Sequence, residues 1–142
     1  MMPLILRDAW WAIALALVVG CGAASPFDYQ QVSGKVTYDD GTPISPSGFT
    51  IYFSPQVAAI NAETHPRVAK AMVDGSGNFT ETTSHKFGDG LIPAKHKVFL
   101  DLKPAKGAKP LVAAVYTDVE TTPLEVDSTA TNFLEIKVPR PQ

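Results

Sequence analysis

From Gln31 onward the apolar residues of this chain recur at every second position in short runs, and no run sustains a helical period. Period two puts successive side chains on opposite faces of a strand. A chain written this way must bury one face of several short strands against another layer. Val32, Val36 and Tyr38 share one face of a first strand, with Ser33, Lys35 and Thr37 on the other. Phe49, Ile51 and Phe53 alternate with Thr50, Tyr52 and Ser54 in a second strand, which Pro55 ends. A third strand, Val68 to Val73, runs into Asp74-Gly75-Ser76-Gly77-Asn78, and Phe79 to Thr83 returns from it as a hairpin. Val98, Leu100 and Leu102 alternate with Lys97, Phe99, Asp101 and Lys103. Leu111 to Tyr116 and Leu124 to Val126 are short strand candidates, and Leu134, Ile136 and Val138 mark the last strand.

Turn chemistry separates these runs: Asp39-Asp40-Gly41-Thr42-Pro43, a loose stretch from Gln56 to Pro66, a Gly-rich loop from Lys86 to Pro93, and a loop from Pro104 to Pro110. Short strands with turn signals at this spacing predict an all-β fold, a single antiparallel β-sandwich of seven or eight strands over residues 31–139. The length of 142 residues suits one such domain, followed by a brief tail, 140–142. With 45% hydrophobic and 18% charged residues the chain is too apolar for disorder and too polar for a multi-span membrane protein. The net charge of −2 and the absence of a Lys/Arg cluster give no field for nucleic acid. The chain has one cysteine, so no disulfide can form within it, and the domain must be held by its core.

That cysteine closes a different kind of segment. Ala9 to Gly20 reads AWWAIALALVVG, an uncharged apolar run preceded by Arg7 and Asp8. It is shorter than the roughly 20 residues that span a bilayer, and it fits the apolar region of a secretory signal. The run ends Val18-Val19-Gly20-Cys21, which resembles the bacterial lipobox. In that motif a small residue precedes the scissile bond, the thiol accepts a diacylglyceryl group, and the freed amine can be acylated. The reading is a signal peptide over 1–20, lipid on Cys21, and a small, polar tether over 21–30. Gly22 rather than Asp after the cysteine favours the outer over the inner membrane.

The order of the strand motifs carries a further resemblance. VSGKVTYDDGTPI opens the domain, followed by GFTIYFSP, AMVDGSGNFT, FGDGLIPAKHKVFL and finally YTDVETTPLEVDSTATNFLEIKV. The series resembles small planctomycete-type lipoproteins with a transthyretin-like or carboxypeptidase-regulatory-like domain. Their pattern is V-x-G-x-V near the start, D-x-x-G-x-F in a central hairpin, and G-x-Y-x-V before a long strand. The sequence departs from it with His96 where Tyr is common and Lys95 where Gly is common. The resemblance implies a fold and an envelope location and no reaction.

Candidate chemical sites are sparse. Asp74-Gly75-Ser76-Gly77-Asn78 offers oxygen ligands but only one carboxylate, which is poor for calcium. The three histidines, His65, His85 and His96, lack HxH or HxxxH spacing and read as isolated surface residues, so no metal or cofactor is expected. The resembled fold also houses hydrolysis of 5-hydroxyisourate, whose Tyr-Arg-Gly-Ser type tail is not matched by Val138-Pro139-Arg140-Pro141-Gln142. Lys35 and Asn132 invite a Lys–Asn isopeptide crosslink, but the alternation turns Lys35 to solvent. Ser84, His85 and Asp89 are a weak catalytic set, because neighbours on a strand point apart. The leading expectation is a non-enzymatic, lipid-anchored envelope module whose partners are the membrane and an envelope protein or glycan. The alternative is a carbohydrate- or peptide-binding module using Tyr52 and Phe99, which share the outward phase of their strands.

Overall fold

The structure is a computed structural model that describes residues 25–142. The signal segment and Cys21 lie outside the described residues. Among the described residues seven strands form: β1 (Ser33–Tyr38), β2 (Phe49–Pro55), β3 (Ala69–Val73), β4 (Asn78–Phe79), β5 (Lys95–Asp101), β6 (Glu125–Asp127) and β7 (Phe133–Val138). They make a three-stranded sheet in the order β4-β1-β7 and a four-stranded sheet in the order β3-β2-β5-β6. The all-β expectation therefore holds, with two facing sheets.

One pairing corrects the all-antiparallel expectation. β1 and β7 run parallel, with Gly34 opposite Leu134 and Val36 opposite Ile136. Parallel neighbours need a long crossover, and here every other strand lies between the two in sequence. Alternation reveals which face of a strand is buried, not which strand lies beside it, so the direction could not be read from the pattern.

The inward phases of the two sheets meet in one apolar cluster. Val36, Leu134, Ile136 and Val138 come from one sheet, and Ile51, Phe53, Ala71, Val98 and Leu100 from the other. Phe53 and Phe79 bridge the layers with ring centroids 5.7 Å apart at 54°, a tilted pair. At roughly 1.5–3 kcal/mol for each fully buried large apolar side chain, this cluster is the main stabilising contribution without a disulfide.

Three local expectations change. The return after Asp74 is only partly a hairpin. Asp74 and Asn78 are bonded across the turn, and Lys70 and Thr83 exchange backbone hydrogen bonds, but between them β4 leaves to pair with β1. Leu111 to Tyr116 is not a strand: Ala114–Thr117 form a 3₁₀ turn against β5. Thr37, on the outward phase of β1, is buried, because Pro43 bridges to it and the Lys137 ammonium donates to its hydroxyl at 3.1 Å.

The molecule has two distinct ends. At one, Tyr38 donates to the Leu111 carbonyl at 2.6 Å while Arg140 lies 4.2 Å over its ring. Arg140 also donates to Asp40 at 3.0 and 3.1 Å. Hydrogen bonds from the Thr42 hydroxyl and amide, with Arg140 beside them, hold the Asp40 carboxyl at about 2. At the other end the chain enters the domain through Gln30, whose backbone pairs with Leu91 at 2.9 Å in both directions.

Candidate functional site

The outer face of the four-stranded sheet is built from the residues that the core does not take. Register sets them in rows: Lys70, Tyr52 and Phe99 in one, Met72, Thr50 and Asp101 in the next, Ser54, Lys97 and Glu125 on the other side. Tyr52 and Phe99 are thus cross-strand neighbours, and both are half-buried. Their rings stack with centroids 5.0 Å apart and planes 12° apart. At that separation parallel rings cannot lie edge to edge in one plane, so each covers a face of the other. The pair does not form a two-ring platform for a sugar, and one outward face per ring remains.

The stack is a ridge between two hollows. On one side Thr50, Tyr52, Lys70, Met72, Glu81 and Phe87 line an open groove of about 570 Å³. On the other, Phe99, Asp101, Leu102 and Thr117 border a shallower one. Met72 is 70% exposed and Phe87 84% exposed. The Thr50 hydroxyl donates to the Met72 sulfur at 3.3 Å, which turns the thioether toward the groove. The sequence reading found Tyr52 and Phe99 by phase but passed over Met72 and Phe87. Met72 was legible in the same way, since it alternates with Ala71 and Val73. Phe87 sits in a loop, where no phase exists to reveal it.

No family model, curated protein or solved structure matches this chain. The site must therefore be read from its own geometry.

The other candidates are occupied by structural work. Asp89 accepts hydrogen bonds from the Ser84, His85 and Lys86 amides at 2.8, 3.0 and 2.8 Å. Burial pushes its carboxyl up, and these amides outweigh that and hold it below the usual carboxylate range. The Ser84 hydroxyl donates to the Gly90 carbonyl at 2.6 Å, not to His85. This set is a loop clamp without a nucleophile–base contact, and it presents Phe87. Asp89→Ala is expected to lower stability by about 1 kcal/mol, the partial exposure of the loop keeping the loss small. Urea unfolding checks this, with faster amide exchange at Ser84, His85 and Lys86.

Asp74 accepts from the Ser76 and Asn78 amides at 2.9 and 3.0 Å, so its carboxylate closes the turn. Lys35 is exposed, and the Asn132 carbonyl accepts from the Ser33 amide. Among the described residues no three His, Cys, Asp or Glu side chains gather as a metal site. His65 and His85 are exposed, but His96 is not a surface residue. It is 1% exposed, edge-on to Phe53 with centroids 6.3 Å apart, and its Nε2 is 2.8 Å from the Ile92 carbonyl. The available signal is its phase, which is that of Val98 and Leu100.

Proposed function

We propose that this chain is a lipid-anchored envelope module without catalytic activity, tethered through Cys21 and offering the outer face of its four-stranded sheet to a partner. The observation that carries the reading is how the side chains are used. Ser84, Asp74, Asp89 and His96, the groups with chemistry to offer, are held in turn, loop and core contacts. Met72 and Phe87 stand free beside the Tyr52–Phe99 stack. Exposed apolar groups that gather on one face favour an interaction surface. The anchor rests on the Val18-Val19-Gly20-Cys21 motif. The finer assignment, a transthyretin-like or carboxypeptidase-regulatory-like domain of a planctomycete-type lipoprotein, rests on the order of the sequence motifs. An outer-membrane address rests on Gly22.

Cys21→Ser is expected to remove the lipid mass and move the protein from the detergent-rich to the aqueous phase on detergent partitioning. Unchanged partitioning overturns the anchor. Turnover in a hydrolase panel that Ser84→Ala abolishes overturns the non-enzymatic reading.

The groove favours a second reading, binding of an envelope glycan or an extended peptide. Its ligand would use the outward face of Tyr52 and the Lys70 and Glu81 side chains. Co-sedimentation with cell-wall polysaccharide should fall for Tyr52→Ala and Met72→Ser together. Equal retention of both variants and the native chain removes the glycan version.

A further inference from the structure

We infer that two copies of this chain join edge to edge along β7, antiparallel and centred on Ile136, so that their three-stranded sheets fuse into one. This surface is separate from the outer face of the four-stranded sheet and leaves that face free for another partner.

Among the described residues β7 is the longest open strand edge, six residues paired with β1 on one side only. The Ser33 amide donates to the Asn132 carbonyl, which sets the phase of the parallel ladder. The backbone groups of Leu134, Ile136 and Val138 therefore face β1, and those of Phe133, Glu135 and Lys137 face away from it. The tail does not cover them, because Arg140 turns back over Tyr38 and onto Asp40, on the β1 side. The other edges are less open. β3 is bridged from Lys70 to Thr83, β4 has two residues, and β6 has three, with the acidic Glu125 and Asp127 at its outward positions.

The charges on β7 choose both the occupant and the register. Glu135 and Lys137 are exposed on the outward face of the strand, one step either side of the buried Ile136. Turned antiparallel about Ile136, a second copy sets its Lys137 against Glu135 and its Glu135 against Lys137. Each of these pairs exchanges both backbone hydrogen bonds, and each brings opposite charges to neighbouring positions. Moving the centre by one residue sets Glu135 against itself or Lys137 against itself, which repels. The Lys137 ammonium donates to the Thr37 hydroxyl at 3.1 Å and has donors left for an arriving carboxylate.

The ends of the ladder match as well. In this register Phe133 lies opposite Pro139 of the second copy. Pro139 has no N–H to give. The Phe133 amide and carbonyl are already bonded to the Thr131 hydroxyl, each at 3.1 Å. No backbone group is stranded there, and the Phe133 ring, 49% exposed, gains an apolar neighbour. The two-fold axis stands perpendicular to the joined sheet, so Leu134, Ile136 and Val138 of both copies keep facing the core layer. A contact this short is weak in dilute solution, and holding both copies at one surface strengthens it.

Carbodiimide coupling, which joins a carboxylate to an adjacent amine as an amide, tests the pairing in the full chain, expressed in a host that processes lipoproteins and purified in detergent. The native chain is expected to give a band of doubled mass whose linked peptides join Glu135 to Lys137. Glu135→Lys and Lys137→Glu each set like charges opposite and should lower that band about tenfold. Mixed in equal amounts, the two variants face each other with opposite charges again, and the band should return to near the native level. That recovery also shows that both variants fold. A native chain that gives no coupled dimer overturns the inference. So does a dimer that the single variants leave unchanged or that the mixture does not restore.

Discussion

Replacing Gly34 by alanine is expected to destabilise the domain by about 3 kcal/mol, the upper end of the usual cost of overpacking. Gly34 is the second residue of β1, between β4 and β7, opposite Phe79 on one side and Leu134 on the other. A Cβ there would overlap the Leu134 carbonyl oxygen and stand 2.6 Å from Phe79 Cζ. Neither neighbour can move cheaply. The carbonyl belongs to the parallel ladder that joins the first strand to the last. The Phe79 ring is buried and leans on Phe53, so a displaced ring would be pushed into the core. A loss of this size is a large share of the 5–15 kcal/mol that holds a typical domain together. Gly41→Ala is the control. Gly41 has a φ of 85° with no atom within 4 Å of a Cβ, so it costs only the left-handed backbone penalty of about 1 kcal/mol. Urea unfolding of both variants should show a much lower midpoint for Gly34→Ala. The reverse order would remove the close-approach explanation.

The same residue shows how far the sequence could be read. In VSGKV a glycine interrupts an otherwise ordinary alternating strand. Its spacing marks a motif, but its cause is a ring from β4 and a carbonyl from β7, both distant in the chain. Period two placed Ile51, Phe53, Val98, Leu100, Leu134 and Ile136 on buried faces, because burial of one strand face is a local pattern. It failed where a distant segment covers an outward position, as at Thr37. It also failed where a short apolar stretch is too brief to show a period, as at Ala114–Thr117. The outer-face pair was legible for the same reason as the core: Tyr52 and Phe99 alternate with buried residues. That they stack on each other depends on the β2–β5 register, which alternation does not set.

His96 should make the domain less stable in mild acid, at a higher pH than the lowered carboxyls of Asp40, Asp89 and Asp127. Its Nε2 faces the Ile92 carbonyl, so Nε2 carries the proton of the neutral ring, and Nδ1 is buried without a hydrogen-bond partner. A second proton would have to sit on Nδ1, in an apolar setting beside Phe53. Burial lowers the pKa of His96, and the Ile92 carbonyl and nearby Asp127 offset it only in part. The unfolded chain therefore takes up a proton near the ordinary histidine value of about 6.5 while the folded chain does not. Below that pH unfolding gains a proton, and stability falls by up to about 1.4 kcal/mol per pH unit until the folded ring also titrates. Asp40, Asp89 and Asp127 have lowered pKa values, so their contributions are lost only in stronger acid, as pH falls below the usual carboxylate range. His96→Phe separates the two windows. A phenyl ring fills the same slot against Phe53, and the Ile92 carbonyl keeps a donor in the Ser128 hydroxyl at 3.0 Å. The variant is expected to stay within about 1.5 kcal/mol of the native chain at pH 7 and to lose the slope that sets in below about pH 6.5. Thermal unfolding across that range checks it, and an unchanged slope in the variant would assign the acid sensitivity to another group.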